Sequence, residues 1–147
     1  MKGICNAADR RGFTLVELMI VVAVVAVLAA VGIPKFASLI NNSREGATKG
    51  GLGSVRSALV VYFGETEGTY PTDELACLAP RYLNEMPTAK IPQHATDSNA
   101  VHGDSTSTFV NGSGGWAYAN VSSETGWGTF VVNCTKNDSK GIVWSTE

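Results

Sequence analysis

The sequence contains none of the short motifs by which most enzymes and nucleotide-binding proteins are recognised. It has no G-x-S-x-G, H-E-x-x-H or G-x-x-x-x-G-K segment, and His94 and His102 are its only histidines. Their spacing matches no compact metal-ligand motif. We therefore expect a protein that is not an enzyme and has no resident cofactor, with a calcium site as the one alternative.

Cysteine is scarce, since Cys5, Cys77 and Cys134 are the only three. Cys5 precedes an apolar segment that is predicted to cross a membrane, so we expect it to stay on the reducing side. Cys77 and Cys134 then form the candidate disulfide on the oxidising side. Closing the loop between them would stabilise the fold by about 4 kcal/mol. Two separate buried thiols remain the alternative.

Charge is nearly absent from the segment between Phe13 and Ile33, where the only polar side chains are Thr14 and Glu17. At about 1.5 Å per residue, a helix of this length spans a bilayer core of roughly 30 Å. Basic residues precede the segment and place the amino terminus in the cytoplasm by the positive-inside rule; they are Lys2, Arg10 and Arg11. The formal net charge of -2 predicts no direct nucleic-acid binding.

One long helix is predicted from Phe13 to about Gly68, with a membrane half (13–34) and an outer amphipathic half (35–68). Pro34 predicts a kink between the halves. Clustered glycines predict a pliable or locally melted stretch from Ser43 to Gly53. The alternative is a break, with a separate amphipathic helix that begins near Gly51.

Residues 69–147 predict loops and a small sheet. Asp73–Leu83 favours a short helix, and the polar stretch Ile91–Gly115 favours a surface loop. Alternation and turn residues predict three antiparallel strands: Trp116–Val121, Gly128–Cys134 and Gly141–Trp144. Packed on the outer half of the helix, this sheet would bury the side chains of Trp116, Tyr118, Phe130, Val132 and Trp144.

The segment GFTLVEL, from Gly12 to Leu18, follows a short basic leader and precedes an uncharged run. It resembles the signature of type IV pilins and type II secretion pseudopilins. The resemblance implies that a prepilin peptidase removes residues 1–12 by cutting between Gly12 and Phe13, and then methylates the new amino group of Phe13. It also implies the α+β pilin-like fold, in which the outer half of the long helix packs on a small antiparallel sheet.

Glu17 is the feature of the apolar segment that needs an explanation, because a carboxylate at the bilayer centre costs on the order of 3 kcal/mol. Apolar contacts between helices gain little in lipid, whose tails are as apolar as leucine. A carboxylate that meets the Phe13 amine of the next subunit gives the packing a register. Such a heterologous contact propagates into an open filament. The alternative is a simple anchor whose Glu17 reaches the membrane interface.

The resemblance implies a structural subunit of a type IV pilus, a surface filament for adhesion, twitching motility or DNA uptake. One alternative is a pseudopilin of a type II secretion system, which forms a periplasmic piston. Another is a membrane-tethered binding module that never polymerises. The implied partners are further copies of the chain, the prepilin peptidase and N-methyltransferase, an assembly platform and its ATPase. The precursor is expected in the bacterial inner membrane and the product in an extracellular pilus or a periplasmic pseudopilus.

Major pseudopilins resemble one another in a calcium-holding loop near the C-terminal sheet. Four scattered carboxylates of this sequence are weak candidates for the ligands of such an ion: Asp97, Asp104, Glu124 and Asp138. Trp127, between two glycines, is the aromatic residue that we would test for adhesion.

Replacing Gly12 with a bulky residue is expected to block removal of the leader, because the implied cleavage follows a glycine. Precursor that still carries residues 1–12 should then accumulate in the membrane, where mass spectrometry of the intact protein measures it. Mature protein of normal mass from this variant would contradict the assigned cleavage position.

Overall fold

A computed structural model describes residues 12–105 and 107–147, which include one long helix and a small sheet. Helix α1 spans Leu15–Glu65 without interruption, so Pro34 and the clustered glycines all lie inside it. The predicted long helix is therefore confirmed, and the alternative of a separate helix beginning near Gly51 is wrong. The chain divides into two compact units, residues 1–38 and 39–147, here called the first and the second unit.

Contacts on one face of α1 explain why the glycine-rich stretch is helical. Glu45, Thr48 and Leu52 are buried on that face, and tertiary packing commonly outweighs weak intrinsic helix propensity. Gly51 has a packing role of its own, because a Cβ atom there would lie 3.2 Å from Cβ of Pro87 and 3.4 Å from the Trp116 ring. The absence of a side chain at Gly51 thus lets the helix approach the sheet closely.

The helix ends at Glu65, three residues before the predicted end at Gly68. The backbone N–H of Gly68 donates to the carbonyl oxygen of Phe63 at 3.0 Å. Gly68 has φ of 90°, and this left-handed conformation is the one in which glycine commonly closes a helix.

The sheet has three strands in the order β1 (Val101–Asp104), β2 (Trp116–Ala119) and β3 (Phe130–Val132). Strand β2 pairs antiparallel with β3 but parallel with β1. The α+β fold class is confirmed, but the prediction of a purely antiparallel sheet is wrong. Strand β1 lies within the stretch that was predicted to be a surface loop. The prediction missed it because the polar sequence VHGD lacks the alternation of apolar and polar residues that marks a half-buried strand.

The predicted third strand, Gly141–Trp144, is also wrong. Val143 makes only an isolated bridge to Asn137, and Trp144–Thr146 forms a short 3₁₀ helix. The N–H of Trp144 donates to the carbonyl oxygen of Lys136 at 3.1 Å. This bond folds the chain back on itself and leaves no partner for a strand. Of the predicted helix Asp73–Leu83, only the 3₁₀ turn Ala76–Leu78 is helical.

The core lies between α1 and the sheet, and the predicted core residues are confirmed. The five predicted aromatic and aliphatic residues are at most 2% exposed, and Val55 and Leu59 of α1 pack in the same cluster. The rings of Trp116 and Phe130 stack with centroids 5.2 Å apart. A second cluster, containing Phe109, Ala117 and Val131, lies on the opposite face of the sheet. All four residues of β2 are therefore buried.

Gly128→Ala is expected to destabilise the second unit by about 1–3 kcal/mol. Gly128 has φ of 86°, and a Cβ atom there would lie 2.5 Å from Cδ2 of Tyr70. Denaturant unfolding of the full chain in detergent measures the change. Gly53→Ala is the matched control, since its Cβ meets nothing within 4 Å and should stabilise the helix by roughly 1 kcal/mol. Equal effects of the two substitutions would contradict the assignment.

Candidate assembly site

Thr14 and Glu17 close the amino-terminal end of α1 with a reciprocal cap. Thr14 Oγ1 accepts the N–H of Glu17 at 3.2 Å, and Glu17 Oε2 accepts the N–H of Thr14 at 2.8 Å. The Thr14 hydroxyl donates to the same Oε2 at 2.7 Å. This arrangement is a capping box, which satisfies backbone donors that a helix end leaves unpaired. Glu17 Oε1 accepts no hydrogen bond from the described residues.

The side chains around this cap are exposed and apolar. Phe13 is 85% exposed, and the large apolar residues that follow it as far as Ile40 are each at least 53% exposed. The most apolar 18-residue window of α1 has a mean hydropathy of 2.8 and no buried residue. By length and composition α1 is the one described helix able to cross a membrane. This surface needs lipid or other protein chains to cover it.

The residues of the predicted cleavage site precede the helix. Gly12, Phe13 and Thr14 have no regular secondary structure, and nothing lies within 4 Å of a Cβ atom built on Gly12. The peptide bond between Gly12 and Phe13 is therefore outside the helix. The processing roles of Gly12 and Phe13 stay predictions, as does the kink at Pro34. Residues 1–11, with the basic leader and Cys5, lie outside the described residues.

The predicted disulfide between Cys77 and Cys134 is wrong in this structure, where both cysteines are free. Cys77 is exposed, and its thiol donates to Asp73 Oδ1 at 3.5 Å. Partial burial of this thiol, more than the nearby Asp73 carboxylate, raises its pKa. Cys134 is 1% exposed and packs in the core that includes Trp144. The two thiols therefore have different surroundings, each provided by other parts of the fold.

The candidate calcium ligands do not come together. Asp97 pairs with Arg44 and Asp138 with Lys49, while Asp104 accepts the N–H of Ser105 at 2.7 Å. Among the described residues, no three His, Cys, Asp or Glu side chains are grouped so that they could hold a metal ion. The fourth candidate, Glu124, lies in the turn between β2 and β3. Asp97, Asp104 and Asp138 thus make separate contacts in the fold.

A set of polar contacts fastens the C-terminal segment to one side of α1. We call it the polar clamp, and it consists of three helix residues with their partners. Glu45 accepts the N–H of Ser139 at 3.0 Å, Lys49 Nζ donates to Asp138 Oδ2 at 2.7 Å and to Glu147, and Arg56 Nε donates to the carbonyl oxygen of Phe130 at 3.1 Å. The sequence signal for this clamp was the spacing of Glu45, Lys49 and Arg56, because these three positions lie on one face of a helix.

Asp138 is the centre of the clamp. Its Oδ1 accepts the N–H groups of Lys140 and Ile142, both at 2.9 Å, and its Oδ2 accepts Lys49 Nζ. The Lys49 ammonium, together with the Ile142 and Lys140 N–H groups, lowers the pKa of Asp138 from 3.8 to about 2. The same bond to Asp138, and a second one to Glu147, raises the pKa of Lys49. Lys49 also lies 5.3 Å from the centroid of the Trp144 ring.

Trp127, the residue considered for adhesion, is partly buried. Its ring contacts Tyr70 edge to face at 5.8 Å, and its Nε1 donates to the carbonyl oxygen of Pro71 at 3.4 Å. These contacts give Trp127 a packing role, and its adhesive role stays a prediction.

Comparison with known proteins identifies the amino-terminal signature. Residues 8–33 match the family described as the prokaryotic N-terminal methylation motif. The chain is 42% identical over 57 residues to the type IV major pilin protein PilA of Myxococcus xanthus (strain DK1622), a match that covers 39% of this chain and 26% of the relative. No solved structure matches the chain significantly.

Two further relatives extend the match along the chain. The fimbrial protein EcpC of Eikenella corrodens is 28% identical over 92 residues, 63% of this chain and 60% of the relative. The type IV narrow pilus major component PilA5 of Thermus thermophilus is 29% identical over 65 residues, 44% of this chain and 56% of the relative. The matched segments thus span 26% to 60% of these relatives.

Asp138→Asn is expected to remove part of the pH dependence of stability at low pH. The folded pKa of Asp138 is about 2, below its ordinary value of 3.8, so the carboxylate stabilises the fold above about pH 4 and loses this contribution as the pH falls towards 2. Denaturant midpoints measured from pH 6 to about pH 2 test this.

Glu85→Gln is the matched control for that substitution. Glu85 is exposed and makes no hydrogen bond or ion pair within residues 12–105 and 107–147, so its variant should keep the pH profile of the parent chain. An unchanged profile in Asp138→Asn would contradict the role of Asp138 in the clamp.

Proposed function

We propose that this chain is a structural subunit of a type IV pilus, a proposal that the methylation motif and the similarity to type IV pilins and a fimbrial protein support. It polymerises through its amino-terminal helix into a surface filament that serves adhesion, twitching motility or DNA uptake. The observation that carries this proposal is the exposed apolar half of α1, with one carboxylate, Glu17, four residues after Phe13.

The arrangement around Glu17 supports a contact between subunits. Both hydrogen bonds from Thr14 go to Glu17 Oε2, so within residues 12–105 and 107–147 no donor uses Oε1, which could accept one from another chain. Cleavage before Phe13 would create a cation at the start of the apolar segment. Pairing that amine with Glu17 of a neighbouring copy neutralises two charges where neither is well solvated. Because each copy supplies one amine and one carboxylate, the contact repeats along a filament.

The remaining partners follow from the same proposal. A prepilin peptidase and N-methyltransferase processes Gly12 and Phe13. An assembly platform with its ATPase supplies the energy for extraction from the membrane. The precursor is a single-pass protein of the inner membrane with a cytoplasmic amino terminus, and the assembled product is extracellular.

The names of the relatives favour a pilus over a secretion pseudopilus. The three relatives compared above are named as a type IV major pilin, a fimbrial protein and a major component of a narrow type IV pilus. A tethered module that never polymerises would give the cleavage site no purpose.

Glu17→Ala is expected to leave the precursor inserted and cleaved, but to lower the yield of filaments by about tenfold or more, an assembly cost of at least about 1.4 kcal/mol. The measurement is the amount of sedimentable fibre sheared from cells, together with the mass of its subunit, which should begin at Phe13.

Thr14→Ala is the matched control, because it removes the other half of the helix cap and keeps the carboxylate. It should cost about 1 kcal/mol of helix stability and retain most of the filament yield. The proposal fails if Glu17→Ala gives fibres at the normal yield, or if the fibres contain subunits that still carry residues 1–12.

A further inference from the structure

A groove of about 560 Å³ runs along α1 within the second unit. Small side chains, including those of Ser54 and Ser57, line its floor together with Val61. Val61 is 52% exposed, so part of its apolar surface is in contact with water. Val61 is therefore an apolar side chain of the groove that the unit itself leaves partly uncovered.

Charged and aromatic side chains form the rim of this groove. Glu65 Oε2 accepts Arg81 Nη2 at 2.8 Å and the hydroxyl of Tyr82 at 2.6 Å. The Arg81 guanidinium also lies over the Tyr82 ring, 5.3 Å from its centroid. These contacts hold the rim in one arrangement, with the partly exposed Glu65 carboxylate at its edge.

An exposed apolar side chain of matching character lies on the C-terminal turn. Ile142 is 45% exposed and follows Gly141, whose φ is 83°. Asp138 accepts the N–H of Ile142 and the ammonium of Lys49, so these contacts tie the turn to α1. Lys140, in the same turn, is exposed, and its ammonium has no partner in the part of the chain that the structure describes.

Large exposed apolar side chains are few in the second unit. Among its described residues they are Leu39, Ile40, Val60, Val61 and Ile142. Leu39 and Ile40 continue the apolar segment of the amino-terminal half. Beyond that segment, the exposed apolar side chains are Val60 and Val61 on α1, of which only Val61 lines the groove, and Ile142 on the C-terminal turn.

The groove and the projection are on opposite sides of α1. At about 100° per residue, Ser54, Val61 and Glu65 lie roughly 120–180° around the helix from Glu45, Lys49 and Arg56, the helix residues of the polar clamp. The clamp holds the turn that carries Ile142, whereas the other set lines the groove. Two complementary surfaces on opposite sides of one element form a heterologous contact, which repeats from copy to copy instead of closing a dimer.

Charge agrees with the same pairing. The turn carries the exposed Lys140 ammonium beside Ile142, and the groove carries the Glu65 carboxylate beside Val61. Glu65 already pairs with Arg81 through Oε2, and Lys140 of a second copy would add a second cation to the same carboxylate.

We propose that the groove formed by Ser54, Val61 and Glu65 is a docking site for the turn Lys140–Ile142 of a second copy of this chain. Ile142 covers Val61, and Lys140 reaches Glu65. The inference rests on the proposed filament and adds to it a contact between second units, separate from the contact at Glu17.

Disulfide crosslinking in intact filaments tests this contact. The double variant Val61→Cys with Ile142→Cys, made in a Cys77→Ser background, should give a ladder of covalent multimers when sheared filaments are oxidised. Either single variant should remain monomeric. Val60→Cys with Ile142→Cys is the matched control, because Val60 is also exposed but lies roughly 100° away from Val61 on the helix.

Each outcome decides the inference. A ladder from the Val61 pair alone supports it. Filaments that form normally but yield monomers from that pair overturn it, as does an equal ladder from the Val60 pair or a crosslink to a different protein. Cells that make no filaments at all, even from the Cys77→Ser parent, overturn the proposed function itself, so the two failures are distinguishable.

Discussion

Burial of one face of α1 against the sheet is the constraint on which the second unit depends. The side chains that pack there, which include Val55, Leu59 and Trp116, are almost fully buried. Each glycine in a helix interior costs about 1 kcal/mol relative to alanine, so the glycine-rich stretch would be a weak helix by itself. Its contacts with the rest of the unit offset that cost, and Gly51 makes the close approach sterically feasible.

The features that could be predicted from the sequence are those that depend on local pattern. The uncharged segment after Glu17 predicts a long exposed helix, and GFTLVEL predicts the methylation motif, which residues 8–33 match. Two of the predicted strands, Trp116–Val121 and Gly128–Cys134, are present in the shorter forms β2 and β3. In each case the sequence pattern that supports the prediction lies within neighbouring residues of the chain.

The features that could not be predicted depend on partners far away in the sequence. Strand β1 has no apolar alternation, and it exists because its backbone pairs with the edge of β2. A disulfide between Cys77 and Cys134 was predicted by elimination, but in the fold each thiol has other neighbours. Asp138 was predicted as a candidate ligand of a calcium ion. Its carboxylate instead pairs with Lys49, which lies near the other end of the second unit's sequence. Counting charges along a chain does not reveal which of them meet.

The bond between Lys49 and Asp138 has a consequence for how the turn that carries Ile142 keeps its shape. Both groups belong to the same chain, so the contact needs no dissolved metal ion and is weakened when Asp138 is protonated at low pH. A turn that a dissolved ion organised would loosen whenever that ion became dilute. This turn is instead held by a partner in its own chain, which cannot be diluted away.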